Sequence, residues 1–450
     1  MQAKTPVSGL RLGLLSLVIS QLFGGSALAG TDAERIAELE KKLANSISQI
    51  ERLANRISEL EKGAPAAGAS ATGSTSVGAS TNAATSPALV DSRVEALERT
   101  VSQITEASAR APASQGLPLH GFADVGYASS SKNAADNRKR GFVLGNISFY
   151  LSPEFGDHVK SLIELNFEYG DEGGLATDLE RLQIGYTFSD QATLWAGRFH
   201  TPYGIWNTGF HHGAQIQTSI LRPKLVAFED QGGILPAHTV GLWATGIIKA
   251  GQGKFEYDAY VGNGSRILDG VLDFNAIRDD NGNKLVGGSV RYRFGDALSG
   301  LTLGLHGYKQ QVGSYAGNVL QSRSRVNMLG AYGLYEENDW EVISEYYRFH
   351  NRNLDGLVGS HSSWAGFFQI GRTFNSEYTP YIRLEKASLN QNDNYFARLD
   401  SGRSYTRSVL GLRLDVNPRA AFKIEFNSTD EGRDGGQKYR EAQLQYAIRF

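Results

Sequence analysis

The sequence predicts an all-β chain, a transmembrane antiparallel β-barrel of about 16 strands, preceded by a coiled-coil helix. Three observations predict it. From about residue 117 onward, apolar and polar residues alternate in runs of roughly ten. The connections between these runs alternate between short and long. No later segment carries the ~20 continuous apolar residues that a membrane helix needs, so a membrane-spanning chain of this kind must close as a barrel. Composition agrees: 52 Gly, 20 Tyr and 21 Phe stand against 2 Met, a balance that suits strands better than packed helices.

The chain begins with the pattern of a secretory signal over residues 1–29. Lys4 and Arg11 supply the positive flank, Leu12 to Phe23 a short apolar run, and Ala27-Leu28-Ala29 a small-residue cleavage site ahead of Gly30. Residues 30–62 are charged and periodic: Ile36, Leu39, Leu43, Ile50, Leu53, Ile57 and Leu60 occupy the a and d positions of a heptad. Arg35 with Glu40, and Arg56 with Glu61, have the spacing of interchain pairs in a parallel coiled coil. Residues 63–88 are almost wholly Ala, Gly, Ser and Thr, a flexible linker. A second short helix over 89–112 carries Val90, Val94, Leu97, Val101 and Ile104, and Pro112 and Pro118 end it. Nothing in this stalk is catalytic in type. It reads as a periplasmic oligomerisation device, or as a contact with the cell wall.

The barrel domain is expected over residues 117–450. Val143, Gly145, Ile147, Phe149 and Leu151 fall on one face; Val159, Ser161, Ile163, Leu165, Phe167 and Tyr169 on another, opposed by Lys160, Glu164, Asn166 and Glu168. Short connections near Ser152–His158, Ser189–Gln191, Ala250–Gly253, Gly295–Gly300, Glu336–Asp339, Asn375–Tyr378 and Asn417–Ala420 give periplasmic turns, with long loops on the other side. Tyr186, Phe188, Phe294, Trp340, Phe374, Phe422 and Phe450 lie beside the short turns, and Tyr127, Tyr169, Phe199 and Tyr346 toward the outer ends, as two aromatic girdles. In the last strand Ala442, Leu444, Tyr446, Ile448 and Phe450 alternate with Gln443, Gln445, Ala447 and Arg449. The terminal Phe450 resembles the assembly signal of bacterial outer-membrane proteins, which implies the outer membrane and contact with its lipids.

The polar face should line water. By parity it carries Lys160, Arg198, Arg291, Arg293, Arg325, Arg383, Arg407, Arg413 and Lys423, with Glu164, Glu168, Glu256, Asp258, Glu341, Glu345, Glu385 and Glu425. Side chains fill small barrels, so a charged interior in a barrel of about 16 strands implies an aqueous channel for solutes or ions. The connection from Thr201 to Ala237 is much the longest in the barrel region and is rich in apolar residues, including Trp206, Phe210, Leu225, Val226 and Phe228. A loop this apolar should be buried, and the inside of the barrel is the place for it. Arg222, Lys224, Glu229 and Asp230 then become candidates for the constriction. His200, His211, His212 and His238 flank or occupy this loop, but their spacing matches no zinc pattern. No metal site or cofactor is therefore expected.

The absence of Cys excludes disulfides and thiolate chemistry, and a net charge of -2 points away from nucleic acid. No Ser, His and acid cluster of an outer-membrane lipase or protease is present, so no enzyme activity is expected.

The order of signal, heptad stalk, strands and long third loop resembles the phosphate-selective porin family, porins O and P. Gly197-Arg198-Phe199-His200-Thr201-Pro202-Tyr203-Gly204 is similar to that family's Gly-Arg-Phe…Pro-Phe-Gly strand end leading into the constriction loop. The resemblance covers residues 117–450 and implies a homotrimer that passes small anions such as phosphate by passive diffusion. Here the third loop balances Arg222 and Lys224 against Glu229 and Asp230, where the family's anion-selective members have a dense cationic cluster. The stalk also resembles that of dicarboxylate-type trimeric porins, which implies organic acids or sugars as alternative solutes.

Overall fold

A computed structural model describes residues 119–450 apart from 132–140, 170–174, 211, 230, 274–278 and 280. The signal, stalk, linker and second helix, as well as His211 and Asp230, lie outside the described residues.

Sixteen strands form the barrel wall. They are β1 (Leu119–Ser130), β2 (Gly141–Leu151), β3 (Val159–Tyr169), β4 (Leu175–Ser189), β5 (Ala192–His200), β6 (His238–Ala250), β7 (Gly253–Gly262) and β8 (Leu285–Arg293). The second half comprises β9 (Leu301–Ala316), β10 (Val319–Glu337), β11 (Trp340–Asn353), β12 (Gly359–Arg372), β13 (Tyr378–Ser388), β14 (Tyr405–Asn417), β15 (Ala420–Asp430) and β16 (Lys438–Arg449). Three short strands, Glu154–Phe155, Arg266–Leu268 and Val271–Leu272, ride on loops and are left unnumbered. Each wall strand pairs antiparallel with its sequence neighbour. β1 pairs with β16 from Phe122 opposite Arg449 to Ser130 opposite Glu441, so the sheet closes and keeps no free edge.

Closure is completed at the C-terminus. Gly121 and Phe450 exchange backbone hydrogen bonds of 2.9 and 3.0 Å. The Phe450 ring lies where a side chain on Gly121 would stand, and meets Phe149 edge-on at 5.9 Å. Similar fits recur along the wall. Tyr260 covers Gly287, Tyr332 covers Gly304, His306 covers Gly330 and Tyr381 covers Gly411. Large inward rings are thus seated on bare backbone of the next strand.

The dyad pattern appears as burial. Along β13, Tyr378, Pro380, Ile382, Leu384 and Lys386 are exposed while Thr379, Tyr381, Arg383, Glu385 and Ala387 are buried. Outward rows of other strands are apolar, for example Leu182, Ile184, Tyr186 and Phe188 on β4 and Leu303 and Leu305 on β9. This is an inverted protein: an apolar belt outside and polar groups within, the arrangement a closed barrel takes in a bilayer.

Three expectations are corrected. In β2, Ile147 lies opposite Ala123 but Leu144 lies opposite Val125, so a bulge at Gly145–Asn146 reverses the faces. Phe142 and Leu144, not Val143, join Ile147 outside. Phe199 is fully buried, stacked on Trp243 at 5.4 Å and edge-on to Tyr260, because it shares the inward row of Trp195. It belongs to the core rather than to a girdle. Arg325 points outward: it shares the row of exposed Leu329, while Val326 and Met328 turn in.

Candidate pore and constriction loop

The loop over residues 201–237 joins β5 to β6 and runs inside the barrel, as its apolar content predicts. Its path is fixed by inward side chains of distant strands. On β11, Glu345 Oε1 accepts the backbone N–H groups of Ile205 and Trp206 at 2.7 and 2.8 Å. Trp206–Gly209 forms a single helical turn there. Glu341 on the same strand accepts the Thr218 hydroxyl at 2.7 Å. On β15, Glu425 accepts the N–H of Ile220 at 2.9 Å, and on β13, Glu385 accepts that of Lys224 at 2.7 Å.

Cationic residues on the wall hold the carbonyls. Arg413 on β14 donates to the carbonyls of Gln215 and Gln217 at 2.6 and 2.9 Å. Lys423 on β15 donates to those of Ala214 and Ser219. Arg383 on β13 reaches Ser219 Oγ at 2.7 Å and Gln369 at 3.1 Å, and pairs with Glu385 at 2.8 Å. These charge-assisted bonds satisfy loop backbone that regular structure leaves unpaired. They also explain how such charges survive burial, since each is hydrogen-bonded and Arg383 with Glu385, and Arg413 with Asp415, are also ion-paired.

The loop's apolar side chains fill the other half of the space. Trp206, Leu225, Val226, Ile234 and Leu235 pack with Tyr347, Phe349, Phe367, Tyr395 and Phe396 in one buried cluster. The loop over residues 389–404 folds in from the same end to support them. Tyr395 donates to the Ile234 carbonyl at 2.7 Å, and Asp393 is held by Asn351 at 2.9 Å. Burial raises the Asp393 pKa above the ordinary carboxylate value.

Among the described charged residues of the third loop, Arg222, Lys224 and Glu229 are scaffold rather than rim. Arg222 donates to the Val226 carbonyl at 2.9 Å and lies 4.0 Å over the Phe228 ring. Burial lowers its pKa to about 10, so it remains a cation at neutral pH. Lys224 pairs with Glu431 at 3.0 Å, and Glu229 accepts the backbone N–H groups of Ala237 and His238 at 2.7 and 3.2 Å. The histidines engage carboxylates: His212 and His238 approach opposite oxygens of Glu180 at 3.0 and 2.7 Å, and His200 approaches Glu164 at 3.4 Å. Among the described residues, no group of three or more such side chains is arranged to hold a metal ion.

Of the expected lining residues, Arg383, Arg407 and Lys423 face inward but are buried, Arg407 beside Glu441 at 3.4 Å. Arg198 sits opposite Leu182 and Val240, in the outward row at the end of β5. It is buried there, with Nε donating to the Glu180 carbonyl at 3.2 Å. Arg291 and Arg293 on β8 and Lys160 on β3 do reach the inner surface. Sequence reasoning missed Lys254, which precedes the inward Glu256 and Asp258 by the same period of two. It also missed Arg181, turned inward by a bulge opposite Glu164–Leu165.

These open groups share one asymmetry. Arg293 is 52% exposed and Lys254 38%, while their partner Glu256 is 7%. Arg291 is 29% exposed against 4% for Asp258, 3.0 Å away. Arg181 is 20% exposed over a fully buried Glu164. In each pair the cation stands toward the lumen and the carboxylate lies beneath it. Arg413 and Asp415 reverse this order, at 11% and 27%.

The fold and its interior define a class: a closed sixteen-strand membrane β-barrel with an infolded third long loop and a polar lumen. Solved structures share this fold. The chain is similar to the anion-selective porin from Comamonas acidovorans, with TM-score 0.53 and 11% identity over 74% of this chain and 99% of that one. It is also similar to the in-vitro folded outer membrane protein OmpT of Vibrio cholerae in its trimer form, with TM-score 0.50 and 12% identity over 74% and 99%. No protein-family model matches the sequence, and no curated protein matches it significantly.

Proposed function

We propose that the chain is a bacterial outer-membrane porin, a water-filled channel for passive diffusion of small solutes, and that it prefers small anions such as phosphate. One observation carries the sign of the preference: Arg181, Lys254, Arg291 and Arg293 present cationic tips to the lumen while their carboxylate partners are covered. Inside a low-dielectric wall, such tips raise the local concentration of anions along the path. The third loop narrows that path, held as one body by Glu345, Glu425, Arg383 and Lys423. The short turns and the C-terminus then face the periplasm and the long loops the exterior. The heptads of residues 30–62 support association of chains through a periplasmic stalk; Ile at a with Leu at d nominally favours two strands, and in a homotrimer the association of the barrels overrides that preference.

Planar-bilayer recording tests this reading. Purified protein should insert in discrete conductance steps, and in a salt gradient the reversal potential should have the sign of anion permeation. Folded protein without steps would refute the channel, and cation-signed reversal would refute the preference.

A further inference from the structure

We propose that the outward face of β9–β13, at the long-loop edge of the apolar belt, binds the phosphorylated headgroup of lipopolysaccharide. The inference rests on the membrane orientation given above.

Five basic side chains share this face: Lys309 on β9, Arg325 on β10, Arg348 and Arg352 on β11, and Lys386 on β13. All five are exposed and alternate with buried inward neighbours. Among the described residues none has an ion-pair partner, and the outward rows of the long-loop half of these strands carry no acid. The nearest loop carboxylate, Asp355, is already held by Arg323 at 3.0 and 3.1 Å.

The register concentrates the charge. Arg325 stands directly opposite Arg352, and Arg348 opposite Trp364. Like charges facing each other across a ladder destabilise the pair unless an anion lies between them. Five adjacent strands span about 19 Å, and the step from Arg348 to Arg352 rises about 13 Å along the strand. A surface of that size accommodates a disaccharide bearing two phosphates rather than a single small ion.

The patch also sits at headgroup depth. Tyr346 and Trp364 stack at 6.2 Å within its short-turn edge, Trp364 opposite Arg348, and Lys386 lies 5.9 Å over the Trp364 ring. Beside and below them the outward rows are apolar, with Leu329 and Leu305 at the aromatic level and Leu303, Phe368, Ile382 and Leu384 beneath. Acyl chains meet that belt, interfacial aromatics mark its edge, and phosphates meet cations that run from the aromatic row to six residues beyond Tyr346. Arginine is suited to this contact because its planar fork matches phosphate bidentately.

The test uses the full-length protein, delipidated in detergent and titrated with bisphosphorylated lipid A, monophosphorylated lipid A and phosphatidylethanolamine. The comparison variant is R325Q/R348Q/R352Q/K386Q, with folding checked by heat-modifiable gel mobility and by conductance. The expected result is at least tenfold tighter binding of bisphosphorylated than monophosphorylated lipid A by the native protein. The variant should lose that tenfold preference while conducting normally. Equal binding of all three lipids by the native protein would overturn the proposal, as would full retention of the preference by the variant. Cross-linking that placed a second copy of the chain over Arg325 and Arg352 would overturn it too. Loss of conductance in both proteins would instead indict the channel reading, because the lipid titration does not depend on it.

Discussion

Glu345→Ala should free the start of the third loop without unfolding the barrel. Glu345 Oε1 accepts two loop N–H groups, from Ile205 at 2.7 Å and Trp206 at 2.8 Å, and its other oxygen accepts the Tyr347 hydroxyl. Truncation leaves three buried donors without their partner. Each costs about 1–3 kcal/mol, and water admitted to the gap recovers part, so a net loss of about 3–5 kcal/mol follows. A loss of about 3 kcal/mol raises the population with this segment detached roughly a hundredfold. The wall is affected little, because the backbone ladder that pairs Glu345 with Tyr332 and Phe367 does not involve its side chain. Single-channel recording should show excess current noise and brief steps above the native conductance, while heat-modifiable mobility stays native. Glu345→Gln keeps one acceptor oxygen and should give a weaker version of the same trace. Native conductance and native noise in folded Glu345→Ala would refute the clamp.

Other predictions concern the lumen and the wall. R291Q/R293Q should move the reversal potential toward cations, since it removes two lumen-facing charges and leaves Asp258 uncovered and Glu256 with Lys254 alone. Arg222→Met should leave the reversal potential unchanged, because that guanidinium lies over Phe228 and not at the rim; lost anion preference in this variant would contradict the assignment. Over pH 6 to 9 the Arg222 charge should contribute no conductance change, because its pKa near 10 keeps it protonated. Linkage gives the sign above that range: the folded pKa lies below that of a free guanidinium, so neutralisation relieves a burial cost and loop stability from this group rises with pH. Gly330→Val should lower the midpoint of heat-modifiability, because its Cβ would meet the His306 ring and lie 2.8 Å from the Tyr346 carbonyl oxygen. Overpacking of this kind costs about 1–3 kcal/mol. Gly333→Val, where only Leu303 lies near at 3.3 Å, is the milder comparison.

The barrel was legible because a period of two is a local property of the sequence. Strand count, the order of short and long connections and the inward course of the third loop all follow from local composition. The faces failed where the period itself breaks, as at the Gly145–Asn146 bulge. Charge also misled where it was taken to mark the lumen. Arg325 lies on a 19-residue strand that outruns the apolar belt, so its outward face can carry a cation. The roles of Arg222, Lys224 and Glu229 were hidden for a different reason. Lys224 is held by Glu385, 161 positions away, and Arg383 reaches back to Ser219 across 164. No local pattern announces which of two charged groups will be covered, yet that choice sets the sign of the lumen surface.

Everything rests on lipid outside and water or protein inside the same strands. A nitroxide scan along β13 tests it directly, and the absence of native Cys makes each single-Cys variant unambiguous. Labels at positions 380, 382 and 384 in reconstituted protein should be relaxed strongly by oxygen and weakly by a water-soluble nickel chelate. Labels at 381, 383 and 385 should be shielded from oxygen. Accessibility that fails to alternate along the strand, or that is water-like at 382 and 384, would contradict the account.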